Sequence, residues 1–175
     1  MTFSIKAIIR AFVARDHRLR CPEKLWQRVL SELGRRGEGH HEAGAFLLGK
    51  DGNTQREVQD VIFYDDLDSD AYATGVCVLH GDAFAKLWAR CRTSRLTDVA
   101  DVHTHPGPGP ARQSPSDKAN PMVAREGHVA IIVPEFARRP VPADLLGLYE
   151  YRGQHEWIDR SPRKMPGYFY TGRWS

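Results

Sequence analysis

The sequence predicts an α+β domain, a curved mixed sheet flanked by helices. Its segments order as β-α-β-β-β-α-β-α-β-β-β, mixing hairpins with crossovers in a way that a regular doubly wound fold does not. A chain of 175 residues with 41% hydrophobic and 10% aromatic side chains can bury one sizeable core, not two. Charged residues make up 27%, and the 11 prolines and 15 glycines are scattered, as in a globular chain rather than a disordered or fibrous one.

Taken in order, Phe3 to Val13 is apolar and β-rich and reads as a first strand. Cys21-Pro-Glu then opens a helix, with Pro22 at its first position, where a missing N–H is harmless. Leu25, Trp26, Val29, Leu30 and Leu33 form its apolar face, and Gly34 is expected to end it. After the polar loop Arg35 to His41, Ala43 to Gly49 and Arg56 to Tyr64 read as a hairpin turning at Asp51-Gly52-Asn53. Asp65 to Asp70 is an acidic connection to which no role is assigned. Val76 to Leu79 reads as a strand. Phe84, Leu87, Trp88 and Cys91 form the seam of an amphipathic helix ending near Arg92.

Thr97 to Val102 reads as a strand running straight into His103, and the segment PGPGPARQ that follows is too rich in proline and glycine to be regular. A short helix begins next, with Ser114 as N-cap, Pro115 at N1 and Asp117 at N3 near the positive end of the dipole; Pro121 stops it. Gly127 to Val133 is the most β-like run. Leu145 to Arg152 and Glu156 to Ile158 form a last hairpin around Gly153-Gln154. From Ser161 no periodicity is visible, and Tyr168, Phe169, Tyr170 and Trp174 suggest a tail laid against the body.

The net charge of +3, from 25 basic and 22 acidic residues, is dispersed along the chain and does not argue for nucleic-acid binding. Cys21, Cys77 and Cys91 match neither a disulfide framework nor a C-x-x-C metal knuckle, so reduced thiols are expected. The longest apolar runs, Val129 to Pro134 and Ala43 to Gly49, fall far short of the roughly 20 residues that cross a bilayer. The stretch MTFSIKAIIRAFVARD is interrupted by Lys6, Arg10 and Arg15 and lacks a small-residue cleavage site, so the expected location is the cytoplasm.

One constellation carries chemistry. His103-Thr-His105 places two imidazoles at i and i+2, on one face of a strand that continues through them, so that both can reach one metal. Asp117 follows twelve residues after His105 at a helix start. Two histidines and one carboxylate leave a fourth tetrahedral position for water, the arrangement of a catalytic zinc site rather than a structural one.

With Pro106 after the pair, Ser114 three residues before Asp117, and Glu42-Ala-Gly-Ala-Phe-Leu-Leu-Gly49 upstream, the span from Glu42 to about Val133 resembles the JAMM (JAB1/MPN/Mov34) metalloprotease family. That family's signature is a Glu opening a buried strand, then H-[ST]-H-P, then S-x-x-D. Eleven residues separate His105 from Asp117, one more than the family's usual ten, and the loop Pro106 to Gln113 holds the extra residue. The resemblance implies a JAB/MPN-like domain over residues 1–160 with a C-terminal tail over 161–175. It implies His103, His105 and Asp117 as zinc ligands, Glu42 as general acid/base, and Ser114 as donor to the developing oxyanion.

In that chemistry zinc lowers the pKa of its water from 15.7 toward roughly 7, and a nearby carboxylate moves the proton to the leaving amine. The resemblance further implies an isopeptidase that cleaves after the glycine-ended tail of a ubiquitin-like protein, in maturation or deconjugation, beside E1-like and E2-like partners of a bacterial pathway. Its alternatives are a non-catalytic MPN scaffold, which would normally have lost one of these residues, and a JAB peptidase acting on a sulfur carrier or a phage-tail protein.

Overall fold

The computed structural model describes residues 18–52 and 55–172. The strand expected over Phe3 to Val13, and Trp174, lie outside the described residues. Among these residues the chain forms an eight-stranded mixed sheet with helices on both faces, an α+β architecture. Along the chain run β1 (Leu19–Pro22), α1 (Glu23–Arg36), β2 (Gly44–Asp51), β3 (Arg56–Phe63), α2 (Tyr64–Leu67), α3 (Gly81–Ser94), β4 (Thr97–Thr104) and α4 (Pro115–Ala119). β5 (Val129–Val133), β6 (Gly147–Tyr151), β7 (Trp157–Asp159) and β8 (Phe169–Gly172) complete it. The spatial order is β7-β6-β5-β4-β2-β3-β1-β8. β4 pairs antiparallel with β2 and parallel with β5, so the sheet changes sense beside its central strand.

Alternation along β2 sorts the two cores. Ala45 and Leu47 face α1, joining Trp26, Val29, Leu30 and Leu33. Phe46 and Leu48 face α2 and α3, joining Tyr64, Leu67, Ala83 and Leu87. Trp26 meets Phe169 edge-on at 5.1 Å between ring centroids, fastening α1 to the sheet's last strand.

Several elements differ from the expectation for identifiable reasons. Pro22 ends β1 and serves as the N-cap of α1, so Glu23 opens the helix. Gly34 does not stop α1: it lies inside the helix, where a Cβ would sit 2.9 Å from the Ala137 carbonyl oxygen, and the helix ends only at Gly37. Its absent side chain serves a close approach between elements, not a turn.

Val76 to Leu79 makes no ladder. Val78 donates to the Ala71 carbonyl, and the segment stays irregular beside the site. Trp88, expected in the seam of α3, is 38% exposed, and the helix buries Ala83, Leu87 and Cys91 instead. The acidic connection is partly helical, and Asp65 and Asp66 both pair with Arg36 at the end of α1. After Ser161, where a tail was expected, Phe169–Gly172 pairs in parallel with β1 as an edge strand. No helix among the described residues is long and apolar enough to cross a membrane. Cys21, Cys77 and Cys91 are free thiols.

Candidate metal centre

The site lies where β4 ends between β2 and β5. Val102 and Thr104 point to the α1 side, and His103 to the other. Beyond the strand, the His105 N–H donates to the Val133 carbonyl and its own carbonyl accepts from Phe136. The turn making that contact is unusual: Glu135, Phe136 and Ala137 all have φ near +53°, a left-handed run of three non-glycine residues. Such backbone is strained, and here it clamps the residue that follows the strand.

The His103 and His105 Nε2 atoms come within 3.1 Å of one another. Asp117 closes the group, with Oδ1 3.5 Å from His103 Nε2 and Oδ2 3.2 Å from His105 Nε2. One ligand atom from each of the three residues lies within 4.8 Å of the others.

Asp117 is aimed by the start of α4 as the sequence predicts. Its N–H donates to Ser114 Oγ at 3.1 Å, and the Ser114 N–H donates to Asp117 Oδ2 at 2.7 Å, a reciprocal capping box with Pro115 at N1. Since the Ser114 hydroxyl accepts in this arrangement, its own proton stays free to be donated. The preceding loop is fixed by the Ala111 N–H on the Leu145 carbonyl and the Glu135 N–H on the Gly107 carbonyl.

Glu42 reaches the same point from the segment just before β2. The middle residue of the His-Thr-His triplet sets its place: Thr104 Oγ1 accepts from the Ala43 N–H at 3.0 Å, and the Thr104 N–H donates back to the Ala43 carbonyl. Glu42 Oε1 stands 3.9 Å from His105 Nε2, and the carboxylate accepts the Cys77 N–H. Burial raises its pKa, against the pull of the two imidazoles. All five residues singled out in the sequence thus meet at one locus. His40 stays exposed on the surface loop.

A buried polar chain behind His103 was not legible in the sequence. Asp101 Oδ2 lies 3.7 Å from His103 Nδ1, and Asp101 Oδ1 is 2.6 Å from His128 Nε2. The Tyr64 hydroxyl donates to Asp101 at 3.4 Å, its ring lying over Gly44, where a Cβ would collide with it. His128 Nδ1 comes within 3.1 Å of Asp98 Oδ2, close enough for an ion pair but without hydrogen-bond geometry.

A bulge brings the two aspartates together. β2 pairs Leu47 with Ala100 and Leu48 with Asp98, skipping Val99, so Asp98 and Asp101 share a face that strict alternation would deny them. Outer carboxylates of this kind orient an imidazole and fix which nitrogen carries its proton.

Burial opposes charge on His128, but Asp98 and Asp101 outweigh it and raise its pKa to about 9. In the same way Asp101 and Asp117 outweigh burial at His103 and raise it to about 10 in the cation-free chain. An unfolded histidine titrates near 6.5, so between that pH and about 9 the folded chain holds protons that the unfolded chain has released. The stabilisation from these protons is complete below pH 6.5 and disappears as pH rises through the folded values. The melting temperature of chelator-treated protein is therefore expected to fall from pH 6.5 to 9.5, by on the order of 1 to 3 kcal/mol in stability. Thermal melts across that range test this, and an unchanged melting temperature contradicts the buried ion pairs.

No family model matches the chain. Among solved structures it is similar to the solution structure of protein DSY2949 from Desulfitobacterium hafniense, with a TM-score of 0.60 and 18% identity over 88% of this chain and 92% of that one. It is also similar to the solution structure of a protein from Salinibacter ruber, with a TM-score of 0.48 and 14% identity over 80% of this chain and 87% of that one. The likeness to the first is one of fold.

Proposed function

We propose that the chain is a zinc-dependent peptidase of the JAMM type, with an MPN-like fold, that cleaves after the glycine-ended tail of a ubiquitin-like protein in the bacterial cytoplasm. The observation that carries the reading is the meeting of His103, His105 and Asp117 with Glu42 beside them and not among them. Two imidazoles and a carboxylate are a donor set that suits zinc and leaves room for catalysis, and their mutual spacing allows one ion to be shared. When bound, zinc would supply Lewis acidity toward the scissile carbonyl and make water a nucleophile near neutral pH.

The chain's own groups account for the rest. Glu42 takes the proton of the attacking water and returns it to the leaving amine; its burial-raised pKa favours both halves of that exchange. Ser114, with its hydroxyl proton uncommitted, donates to the oxygen on which charge develops, a contact worth roughly 3 to 4 kcal/mol when such donors are removed. A groove lined by Val76, Val78, Leu79, Phe84 and Met122 runs to Glu42, Ser114 and Asp117. It suits an extended tail whose glycines let the backbone come close.

The test is a ubiquitin-like protein fused through its terminal glycines to a reporter, incubated with protein whose metal content is measured on the same sample. About one zinc per chain is expected, with cleavage abolished by chelation while the circular dichroism spectrum is kept, because the two cores do not depend on the ion. Protein that takes up no zinc on reconstitution overturns the reading.

A further inference from the structure

A cleft of about 710 Å³ lies beside α4. It shares Gln113 and Trp157 with the small cavity over His103 and Asp117, so whatever fills it borders the candidate metal centre. Its charge is one-sided. Arg112, Lys118, Arg163 and Lys164 line it against a single carboxylate, Asp159, which Lys164 already neutralises at 2.9 Å. The side chains of Arg112, Lys118 and Arg163 have no ion-pair partner among the described residues. These cations come from two stretches of sequence, residues 112–118 and 163–164, and only the fold brings the two together, from the loop before α4 and α4 itself and from the segment after β7.

A second feature points to what lies there. Gln113 is 8% exposed, and neither its Oε1 nor its Nε2 has a hydrogen-bond partner. A buried amide left with both a donor and an acceptor unmet is costly, and its complement is another amide. A peptide group meets it with one C=O and one N–H, whereas a fully ionised anion such as sulfate offers only acceptors.

We infer that this cleft is a substrate subsite for an acidic peptide segment next to the scissile bond, its backbone engaged by Gln113 and its carboxylates by Arg112, Lys118 and Arg163. This rests on the peptidase reading for the word substrate; the binding itself does not need catalysis. Exposed cations of this kind steer and select more than they tighten, so preference between peptides is the informative quantity.

The experiment measures fluorescence anisotropy of two labelled decapeptides on the full chain, one rich in Asp and Glu and one with Asn and Gln in their place, with zinc content determined in parallel. The acidic peptide is expected to bind at least tenfold tighter at low salt. Arg112→Ser combined with Arg163→Ser should remove that preference while leaving the neutral peptide unchanged. Gln113→Leu should weaken both peptides and, by removing an unmet polar group, leave the melting temperature the same or higher. Equal binding of the two peptides, or a preference that survives the double substitution, overturns the proposal. So does a short RNA of equal charge that binds as tightly and is indifferent to Gln113→Leu. Protein that takes up no zinc yet prefers the acidic peptide loses the peptidase reading and keeps the cleft.

Discussion

Glu42→Gln is expected to keep its zinc and still bind a ubiquitin-like substrate, while turnover falls by roughly 10² to 10⁴, the contribution of general acid/base catalysis. The structure says why the change is clean. The Cys77 N–H needs only an acceptor oxygen from residue 42, which the amide retains. The backbone there is held independently by Thr104 and by the Gly75 carbonyl, so the side chain stays in place. What is lost is the capacity to accept a proton at neutral pH. Steady-state rates with elemental analysis of the same preparation decide the matter. A variant cleaving at the normal rate refutes the mechanism, and one that loses its zinc makes residue 42 a ligand and requires another base.

Asp117→Ala is expected to abolish stable zinc binding, because three protein ligands become two. Asp117 also accepts the Ser114 N–H, so alanine removes half of the capping box, which costs about 1 kcal/mol by itself. Asp117→Asn separates the two effects, since its amide oxygen still accepts that N–H but brings no charge between the imidazoles. Competition against a chelator of known affinity should show both variants losing more than the 10- to 100-fold that partners outside the ligand set are worth. Retention of wild-type zinc affinity in Asp117→Ala would remove this residue from the centre. Because the cation-free His103 holds its proton up to about pH 10, metal uptake should release protons, and affinity should rise as pH is raised from 6 to 8.

The meeting of His103, His105 and Asp117 was legible because its signals are local: a two-residue spacing on a strand, and a serine cap that fixes where Asp117 stands. The core faces of α1 and β2 were legible for the same reason, since period and burial agree there. What escaped the sequence depends on register or on distant approach. The skipped Val99 cannot be seen in a pattern of alternation, so Asp98, Asp101 and His128 proved to be one buried chain. Trp88 has the spacing of a core residue, but α3 turns its smaller side chains inward. The run Val76 to Leu79 has strand composition, yet its hydrogen bonds go to the Ala71 turn. The cationic cleft is invisible to any count of charges, because Arg112 and Arg163 become neighbours only across β6 and β7.

The order of the strands also bears on the sequence of events in folding. β2, β3, β4 and β5 follow one another along the chain and pair among themselves, with His103 on β4 and Glu42 just ahead of β2. β1, the first described strand, finds its outer neighbour in β8, the last, so Leu19 waits for Phe169 across nearly the whole described chain. Closing that contact costs the most loop entropy of any pairing in the sheet. The middle of the sheet can therefore assemble while the far edge is still open.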